Sequence, residues 1–320
     1  MMACTDRHAR YLLRLISRHT LLYTEMVTSG AIIFGDQDRH LMFSAAEQPV
    51  AVQLGGNDPE AMAAAAETAQ AYGYAEVNIN VGCPSPRVKA GCFGAALMAQ
   101  PHTVAACVST MRERCAVPIT VKTRIGVDDL DSYAHLHEFV SIVADAGCDT
   151  FIVHARKAWL EGLSPKQNRE IPPLNYAVVH RLVEDFPQLH FTLNGGVLTL
   201  DEALHQLEHV HGVMIGRAAY HHPYILAAAD ERVFGDPKPA LTRVEVIRAY
   251  VSYAAEQVER GVRLTQLTRP LLGLYHGEAG AKHWRRHISR HAHLRGAGAS
   301  VIEDAQAALE SAQLGARIAA

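Results

Sequence analysis

Short apolar runs recur along the chain, and longer segments with helical spacing of apolar residues separate them. Strand-like runs lie at residues 21–26, 50–54, 75–81, 118–124, 149–156, 190–196 and 212–217. Helical patterns lie at residues 58–71, 101–115, 130–146, 174–186 and 199–209. Strands that alternate with helices of this length pair in parallel through right-handed crossovers. The pattern therefore predicts an α/β fold built on a parallel sheet.

The residues at the strand ends favour a barrel over an open sheet. Six of the runs carry a polar residue or glycine close to their carboxyl ends, namely Gln53, Asn80, Lys122, His154, Asn194 and Gly216. In a (β/α)8 barrel the carboxyl ends of all strands surround one site, whereas an open sheet places its ligand at one switch point. We therefore predict a (β/α)8 TIM barrel.

Seven strands are visible, one fewer than this barrel requires. The chain starts with residues that resemble the beginning of a helix, with Thr5 or Asp6 as the N-cap. We therefore expect the first barrel strand to be truncated in this chain.

The pattern also predicts a second domain. Pro and Gly interrupt it at residues 235–239, and residues 241–260 and 301–318 beyond them are typical of long helices. A chain of 320 residues with 49% hydrophobic residues can bury two cores. We predict a barrel domain over residues 1–235 and a helical domain over residues 240–320.

Composition narrows the class of protein. No apolar run approaches the roughly 20 residues that span a bilayer, and the start of the chain lacks the apolar segment of a signal peptide. The six cysteines show no Cys-x-x-Cys spacing, which favours reduced thiols over a disulfide framework or a zinc site. We expect a cytoplasmic protein with no membrane contact and no metal.

Positive charge is concentrated in one part of the predicted helical domain. The net charge is only −3, but residues 261–300 contain seven Lys or Arg residues, one acidic residue and five histidines. Trp284 lies among these charges, so the segment could offer a stacking platform beside a phosphate backbone. An ordinary solvated helix is the alternative. His283, His287 and His291 could share a helix face and bind a metal, although the absence of carboxylates disfavours this.

One cysteine is placed for chemistry. Cys83 follows the strand at residues 75–81 and lies between Gly82 and Pro84, so its backbone is restricted. A buried cysteine that acts as a small hydrophobe is the alternative. The position at a strand end favours the chemical role.

The other strand ends suit an anionic cofactor. Asn194, Gly195 and Gly196, with Gly216 and Arg217 after the last strand, offer bare amides and a guanidinium in the loops where this barrel often binds phosphate. Gln53, Lys122 and His154 add amide, cationic and imidazole contacts. Together they form a ring that suits flavin mononucleotide (FMN), and Lys122 suits the negative charge of a reduced flavin.

An ordered set of motifs resembles the tRNA-dihydrouridine synthases, and the A subfamily fits best. The motifs are Asn80-Val81-Gly82-Cys83-Pro84-Ser85, Ala90-Gly91-Cys92-Phe93-Gly94, Lys122-Thr123-Arg124-Ile125-Gly126, His154-Ala155-Arg156 and Asn194-Gly195-Gly196. The resemblance extends from Thr5 through the basic segment at residues 282–286. One departure is that the family's Ala-Pro-Met segment, which lines the flavin, is reduced here to Met1 and Met2.

The resemblance implies a flavoenzyme that uses NADPH to reduce the C5–C6 double bond of uridine at positions 20 and 20a of the tRNA D-loop. It assigns FMN binding to Met1, Met2, Gln53, Lys122, His154, Asn194, Gly195, Gly196, Gly216 and Arg217. It assigns contact with the uridine to Asn80, and contacts with tRNA to Lys166, Gln167, Arg169, Lys282 and Arg285, while Arg156 could face either ligand.

Cys83 is the expected proton donor to C5. An ordinary thiol is mostly protonated at neutral pH, as a general acid requires. A base can reach a flavin only when it is turned out of its stack, so a separate basic surface is expected to hold the tRNA body. We expect a monomer, because so large a substrate needs an open face.

Two alternative functions remain open at this point. One is a different FMN-dependent barrel oxidoreductase that acts on a small enone or a free pyrimidine, which would need no basic helical domain. The other is a flavin-free remnant that binds tRNA through the basic segment.

Overall fold

The computed structural model describes residues 2 and 4–318 of the 320-residue chain. Its strands are β1 (Leu22–Thr28), β2 (Val50–Gly55), β3 (Glu76–Val81), β4 (Ile119–Arg124), β5 (Thr150–His154), β6 (His190–Asn194) and β7 (Gly212–Met214). They form one parallel sheet in the order β1 to β7, with β1 and β7 at its edges. The seven predicted strands and the order that a (β/α)8 barrel uses are confirmed.

Helices connect and follow the strands. They are α1 (Arg7–Ile16), α2 (Ser29–Phe34), α3 (Gln37–Leu41), α4 (Pro59–Ala71), α5 (Pro86–Ala90), α6 (Pro101–Arg114), α7 (Tyr133–Asp145), α8 (Tyr176–Asp185), α9 (Leu200–Leu207), α10 (Arg217–His221), α11 (Ala229–Arg232), α12 (Arg243–Glu259), α13 (Leu264–Thr268), α14 (Ala281–His291) and α15 (Ser300–Ile318). Single 3-10 segments lie at Ala45–Glu47, Gly94–Ala99, Gln167–Arg169, Pro223–Leu226 and Pro270–Gly273. The predicted C-terminal helices are thereby confirmed.

Two compact units divide these elements. The first contains residues 2, 21–43 and 48–216, and the second contains residues 4–20, 44–47 and 217–318. The first unit therefore holds all seven strands, and the second holds α1 together with α10 to α15. The functional domains predicted as residues 1–235 and 240–320 are a separate assignment and stay a prediction.

Burial in the first unit extends to apolar and polar strand residues alike. Every residue of β2 and β3 is buried, because a parallel sheet is covered on both faces. On β3, Val77, Ile79 and Val81 alternate with Glu76, Asn78 and Asn80, so one face is apolar and the other polar. The polar face is the one that carries the candidate site.

Several local signals act as the sequence predicts. Asp6 caps α1 and accepts hydrogen bonds from the backbone of His8 and Ala9 at 3.0 and 2.9 Å. Asp58 caps α4 in the same way, and Pro59 occupies its first turn. Helices α2 and α3 were not predicted, since each is too short to show helical periodicity.

The second unit is built around aromatic and ionic contacts of α1. Tyr11 stacks on Tyr253 of α12 with ring centroids 3.8 Å apart. Arg10 donates to Glu47 at 2.8 Å in a pair that is almost fully buried. Burial raises the pKa of Glu47, and Arg10 opposes that shift. Removing one partner of such a pair leaves the other charge buried and unpaired, and this strongly lowers the free energy of unfolding.

Trp284 lies in the core of the second unit, so the stacking role predicted for it is wrong. Its side chain is 0% exposed, and Nε1 donates to the Leu271 carbonyl at 2.9 Å. Tyr275 meets the indole edge-on. Trp284 and Ile288 form a buried stripe at helical spacing, and the charges occupy the other face of α14.

Among residues 2 and 4–318, no helix combines the length and the apolar character that crossing a membrane requires.

We predict that Trp284→Ala lowers the free energy of unfolding by about 3–5 kcal/mol, because it leaves a cavity and an unsatisfied carbonyl. Thermal unfolding followed by circular dichroism measures the change. The matched control is Trp159→Ala, at the half-buried second tryptophan of the chain, which should cost less. An unchanged melting temperature for Trp284→Ala would contradict the core assignment.

Candidate active site

Five of the predicted site residues lie at the carboxyl ends of neighbouring strands. Gln53, Asn80, Lys122, His154 and Asn194 belong to β2, β3, β4, β5 and β6 in turn. The pairing register sets Asn80 beside Lys122 and His154 beside Asn194. Asn80 donates to Gln53 at 2.7 Å, and Lys122 Nζ donates to Asn194 Oδ1 at 2.9 Å. The structure thus brings these five side chains together at the carboxyl-terminal end of the sheet.

Residues 82–85, between β3 and α5, form the Cys83 loop, which is held by hydrogen bonds on both sides. Asn80 Oδ1 accepts the backbone N–H groups of Gly82 and Cys83 at 3.1 and 2.9 Å. The Cys83 carbonyl accepts the N–H of Ala95 at 2.9 Å. Gly94 has φ +66°, and a Cβ there would come within 2.5 Å of that carbonyl. The Cys83 backbone is therefore held in place while its side chain stays partly accessible.

The thiol itself has one weak polar contact. Cys83 Sγ lies 3.5 Å from Ser85 Oγ, to which it can donate. A half-exposed thiol on a fixed backbone, at the carboxyl end of a parallel strand, can present its proton to a bound ligand.

Arg124 is a residue that sequence analysis did not assign. It is 4% exposed, and its Nε donates to the Gly82 carbonyl at 2.9 Å. Its Nη1 donates to the carbonyls of Asn168 and Lys157 at 2.9 and 3.1 Å. Arg124 therefore ties the Cys83 loop to the loop after β5. Its position in the sequence points to the site, because a residue two positions after Lys122 lies on the same face of β4.

The site is electropositive. Burial, followed by the charge of Arg124, lowers the pKa of Lys122 to about 7. Burial, followed by the charges of Arg124 and Lys122, lowers the pKa of His154 far below its usual range, so its imidazole is neutral. Cations held in a desolvated site favour a ligand that carries negative charge.

Gly195 and Gly196 form a turn without side chains beside His154, which we call the glycine cradle. Gly195 and Gly196 have φ of +110° and +77°. A Cβ on Gly195 would come within 2.8 Å of the His154 ring, and one on Gly196 within 2.4 Å of Leu174. Tyr176 donates to the Gly195 carbonyl at 2.7 Å and fixes the turn. Only glycine fits both positions, which leaves backbone without side chains, exposed at Gly196, where a phosphate or ring could approach.

His154 supplies a further indication of a ligand. Its Nδ1 is buried and has no hydrogen-bond partner within the described part of the chain. An unpartnered buried nitrogen is costly unless a bound group satisfies it. The cradle, the unpartnered nitrogen and the positive charges all fit a planar anionic cofactor.

The remaining residues predicted for the cofactor lie on other segments of the chain. Gly216 follows β7 by two residues, and the exposed Arg217 begins α10 in the second unit. Met2 is 61% exposed, and Met1 lies outside the described residues. Their binding roles stay predictions.

The loop between β5 and α8 presents polar side chains. Lys166, Gln167 and Arg169 are exposed. Asn168 between them is fully buried and accepts from the Trp159 N–H at 2.8 Å while donating to the Trp159 carbonyl at 2.9 Å. Arg156 donates to the carbonyl of Pro172. The loop is internally braced, which holds its exposed groups outward.

Lys282 and Arg285 are exposed on α14, together with Arg286 and Arg290. They occupy the face opposite the buried Trp284 and Ile288. The face is consistent with phosphate contact, and the roles of Lys282 and Arg285 stay predictions.

The three histidines of α14, which the sequence disfavours as a metal site, do not bring their ligand atoms together in the described residues. His291 Nδ1 lies 2.8 Å from the carbonyl of His287. Ligand atoms of three metal-binding side chains converge in the described residues at His19, Asp230 and Asp236. Arg18 already pairs with both carboxylates there and compensates one of their two negative charges.

Comparisons with known proteins give a consistent family. A family model described as dihydrouridine synthase (Dus) matches residues 1–313. The tRNA-dihydrouridine(20/20a) synthase of Salmonella typhi is 54% identical over 306 residues, which cover 95% of this chain and 92% of that protein. The enzyme with the same name from Escherichia coli (strain K12) is 53% identical, with 95% and 88% covered. That of Vibrio cholerae is 51% identical, with 98% and 96% covered.

One solved structure shows the fold. A 2-naphthoyl-CoA reductase in complex with 2-naphthoyl-CoA superposes with a TM-score of 0.54 at 10% identity. The match covers 72% of this chain and about half, 47%, of that one.

We predict that Arg124→Met lowers the free energy of unfolding by about 3 kcal/mol, because three carbonyls lose a charged donor. Urea unfolding measures the change, and hydrogen exchange at residues 82–83 and 157–168 should accelerate. Arg39→Met, at an exposed arginine of α3, is the matched control. If both variants unfold alike, Arg124 does not brace these loops.

Proposed function

Since the chain belongs to the dihydrouridine synthase family, we propose that it reduces uridine to 5,6-dihydrouridine in tRNA, at the positions 20 and 20a that the names of its relatives specify. The observation that carries the proposal is the half-exposed Cys83 on a fixed loop beside an electropositive cradle. A redox cofactor and a proton donor are the two things this reduction requires.

The cofactor of the proposal is FMN. Gln53, Lys122, His154 and Asn194 would contact its ring system, and Gly195, Gly196, Gly216 and Arg217 would hold its phosphate. Met1 and Met2 are assigned to it by the family resemblance alone. When bound and reduced by NADPH, FMN would supply the hydride that is added at C6. Lys122 suits this ligand because an anion restores the charge that burial disfavours.

Cys83 completes the reduction by donating its thiol proton to C5. The N–H bonds from Gly82 and Cys83 to Asn80 and the Arg124 bond to Gly82 fix the direction in which the thiol is presented. Asn80 contacts the uridine as well, which places base recognition and proton donation on the same short segment. The thiolate that remains is reprotonated from solvent, to which Cys83 is partly open.

The body of the tRNA would be held by exposed basic groups. Lys166, Gln167 and Arg169 on the loop after β5, with Arg156 at its start, are proposed to contact the nucleotides around the target. Lys282 and Arg285 on α14 are proposed to contact phosphates. Phosphate contacts give affinity without reading sequence, as suits an enzyme that selects its uridine by tRNA shape.

In this proposal residues 1–235 bind the cofactor and carry out the reduction, and residues 240–320 bind tRNA. The enzyme is proposed to act as a monomer in the cytoplasm, where its substrate is found. A reductase of small enones or free pyrimidines would need no exposed basic face on α14, and a flavin-free remnant would need neither the glycine cradle nor the half-buried Lys122 beside it. Those features support the tRNA enzyme over both alternatives.

We predict that Cys83→Ala lowers the turnover rate by about 100-fold or more, because a general acid contributes at least that factor. Dihydrouridine formed in unmodified tRNA is measured by mass spectrometry. FMN content and tRNA affinity should not change. The matched control is Cys92→Ala at an exposed cysteine, which should keep full activity. Rapid dihydrouridine formation by Cys83→Ala would exclude Cys83 as the acid.

We predict that Lys282→Glu combined with Arg285→Glu weakens tRNA binding and reduces the slope of log affinity against log salt by about 2, since two phosphate contacts are lost. A salt titration of tRNA binding measures both. The flavin spectrum should not change. Arg39→Glu with Arg248→Glu gives the same charge change at exposed sites on α3 and α12. If both double variants weaken tRNA binding equally, the loss comes from the change in net charge and not from phosphate contacts made by α14.

A further inference from the structure

A row of buried polar side chains extends from the candidate site toward the opposite end of the sheet. Glu76, Asn78 and Asn80 alternate along β3 and therefore share one face. The pairing register sets Gln53 of β2 and Thr120 of β4 on either side of Asn78. Asn78 is 0% exposed and Thr120 is 1% exposed.

These side chains form one continuous hydrogen-bonded path. Asn80 Nδ2 donates to Gln53 Oε1 at 2.7 Å, and Gln53 Nε2 donates to Asn78 Oδ1 at 2.9 Å. Asn78 Nδ2 donates to Thr120 Oγ1 at 2.8 Å. Thr120 Oγ1 then donates to Glu76 Oε1 at 2.6 Å. Tyr23 donates to the same Glu76 oxygen at 2.7 Å.

The direction of every bond follows from the two ends. The backbone N–H groups of Gly82 and Cys83 can only donate, so the oxygen of Asn80 must face them and its nitrogen must face Gln53. The same reasoning fixes Gln53, then Asn78, then the Thr120 hydroxyl. The path must finish on an acceptor, and the Glu76 carboxylate oxygen is one.

A carboxamide that is free to rotate by 180° would lose this order. A reversed Asn80 would set its NH2 group against two backbone N–H donors, leaving them unsatisfied in a buried site. Within the path, no amide can reverse alone, because its neighbours would then meet donor to donor. Burial raises the pKa of Glu76, and the hydroxyls of Thr120 and Tyr23 act against that shift.

We propose that Glu76, acting through Thr120 and Asn78, is a positioning residue that fixes the orientation of the Asn80 carboxamide and thereby the Cys83 loop. Glu76 lies four residues from Asn80 along β3, about 13 Å away at the usual rise of a strand. Neither Glu76 nor Thr120 touches substrate. The kinetic consequence rests on the proposed function, whereas the ordering of the loop does not.

Thr120→Val and Thr120→Ser form the first test. Valine keeps the shape but removes the hydroxyl, and serine keeps the hydroxyl but removes a methyl group. Hydrogen exchange of the Gly82 and Cys83 amides, read by mass spectrometry on a peptide spanning residues 80–85, should accelerate about tenfold in Thr120→Val, because valine can neither accept from Asn78 nor donate to Glu76 and so breaks the path. Thr120→Ser should exchange like the wild type.

Dihydrouridine formation in a single turnover should follow the same order. Thr120→Val should slow it about tenfold with tRNA affinity unchanged, and Thr120→Ser should restore the rate. A packing role alone predicts the reverse, because serine leaves a cavity and valine does not. Equal exchange and equal rates in wild type and Thr120→Val would overturn the proposal.

Glu76→Leu and Glu76→Gln form the second test, which decides the matter if Thr120→Val does not fold. Glutamine retains an oxygen that can accept both hydroxyls and should behave like the wild type, whereas leucine should accelerate amide exchange and slow turnover. If the wild type forms no dihydrouridine, the proposed function fails and the exchange data still judge the path. If leucine and glutamine give the same exchange rates as the wild type, Glu76 has no positioning role.

Discussion

The Asn80 carboxamide makes the contacts on which the rest of the proposed site depends. Its oxygen holds the N–H groups of Gly82 and Cys83, and its nitrogen is bound to Gln53. Because one side chain joins the strand end, the Cys83 loop and a residue proposed to bind FMN, a change at Asn80 alters all three. A parallel sheet makes this possible by delivering the ends of adjacent strands to one edge.

The charges of the site show why a ligand is required there. Arg124 is a buried cation, burial lowers the pKa of Lys122 to about 7, and His154 stays neutral with Nδ1 unpartnered in the described structure. Such an arrangement costs folding free energy when no anion is bound. The FMN that we propose for this site would compensate that cost through its charge and its hydrogen-bonding edge.

Much of the fold could be predicted from the sequence, because buried parallel strands are short apolar runs with polar ends. The predicted strands run too long at 149–156 and 190–196, where pairing stops at His154 and Asn194 and the following residues turn into loops. The placement of α1 with the second unit was not foreseen, since it depends on distant contacts such as Tyr11 with Tyr253. Trp284 was misjudged because neighbouring charges were weighed above its helical spacing with Ile288. The path from Glu76 to Asn80 depends on side-chain directions across three strands, which alternation along β3 alone does not reveal.

The proposed chemistry is tested by following the visible absorption of the purified protein through one anaerobic cycle. We expect a flavin spectrum that NADPH bleaches and that unmodified tRNA restores, with one dihydrouridine formed per flavin reoxidised. A tRNA with cytidine at positions 20 and 20a should leave the flavin reduced. A colourless protein, or a flavin that both tRNAs reoxidise equally, would contradict it.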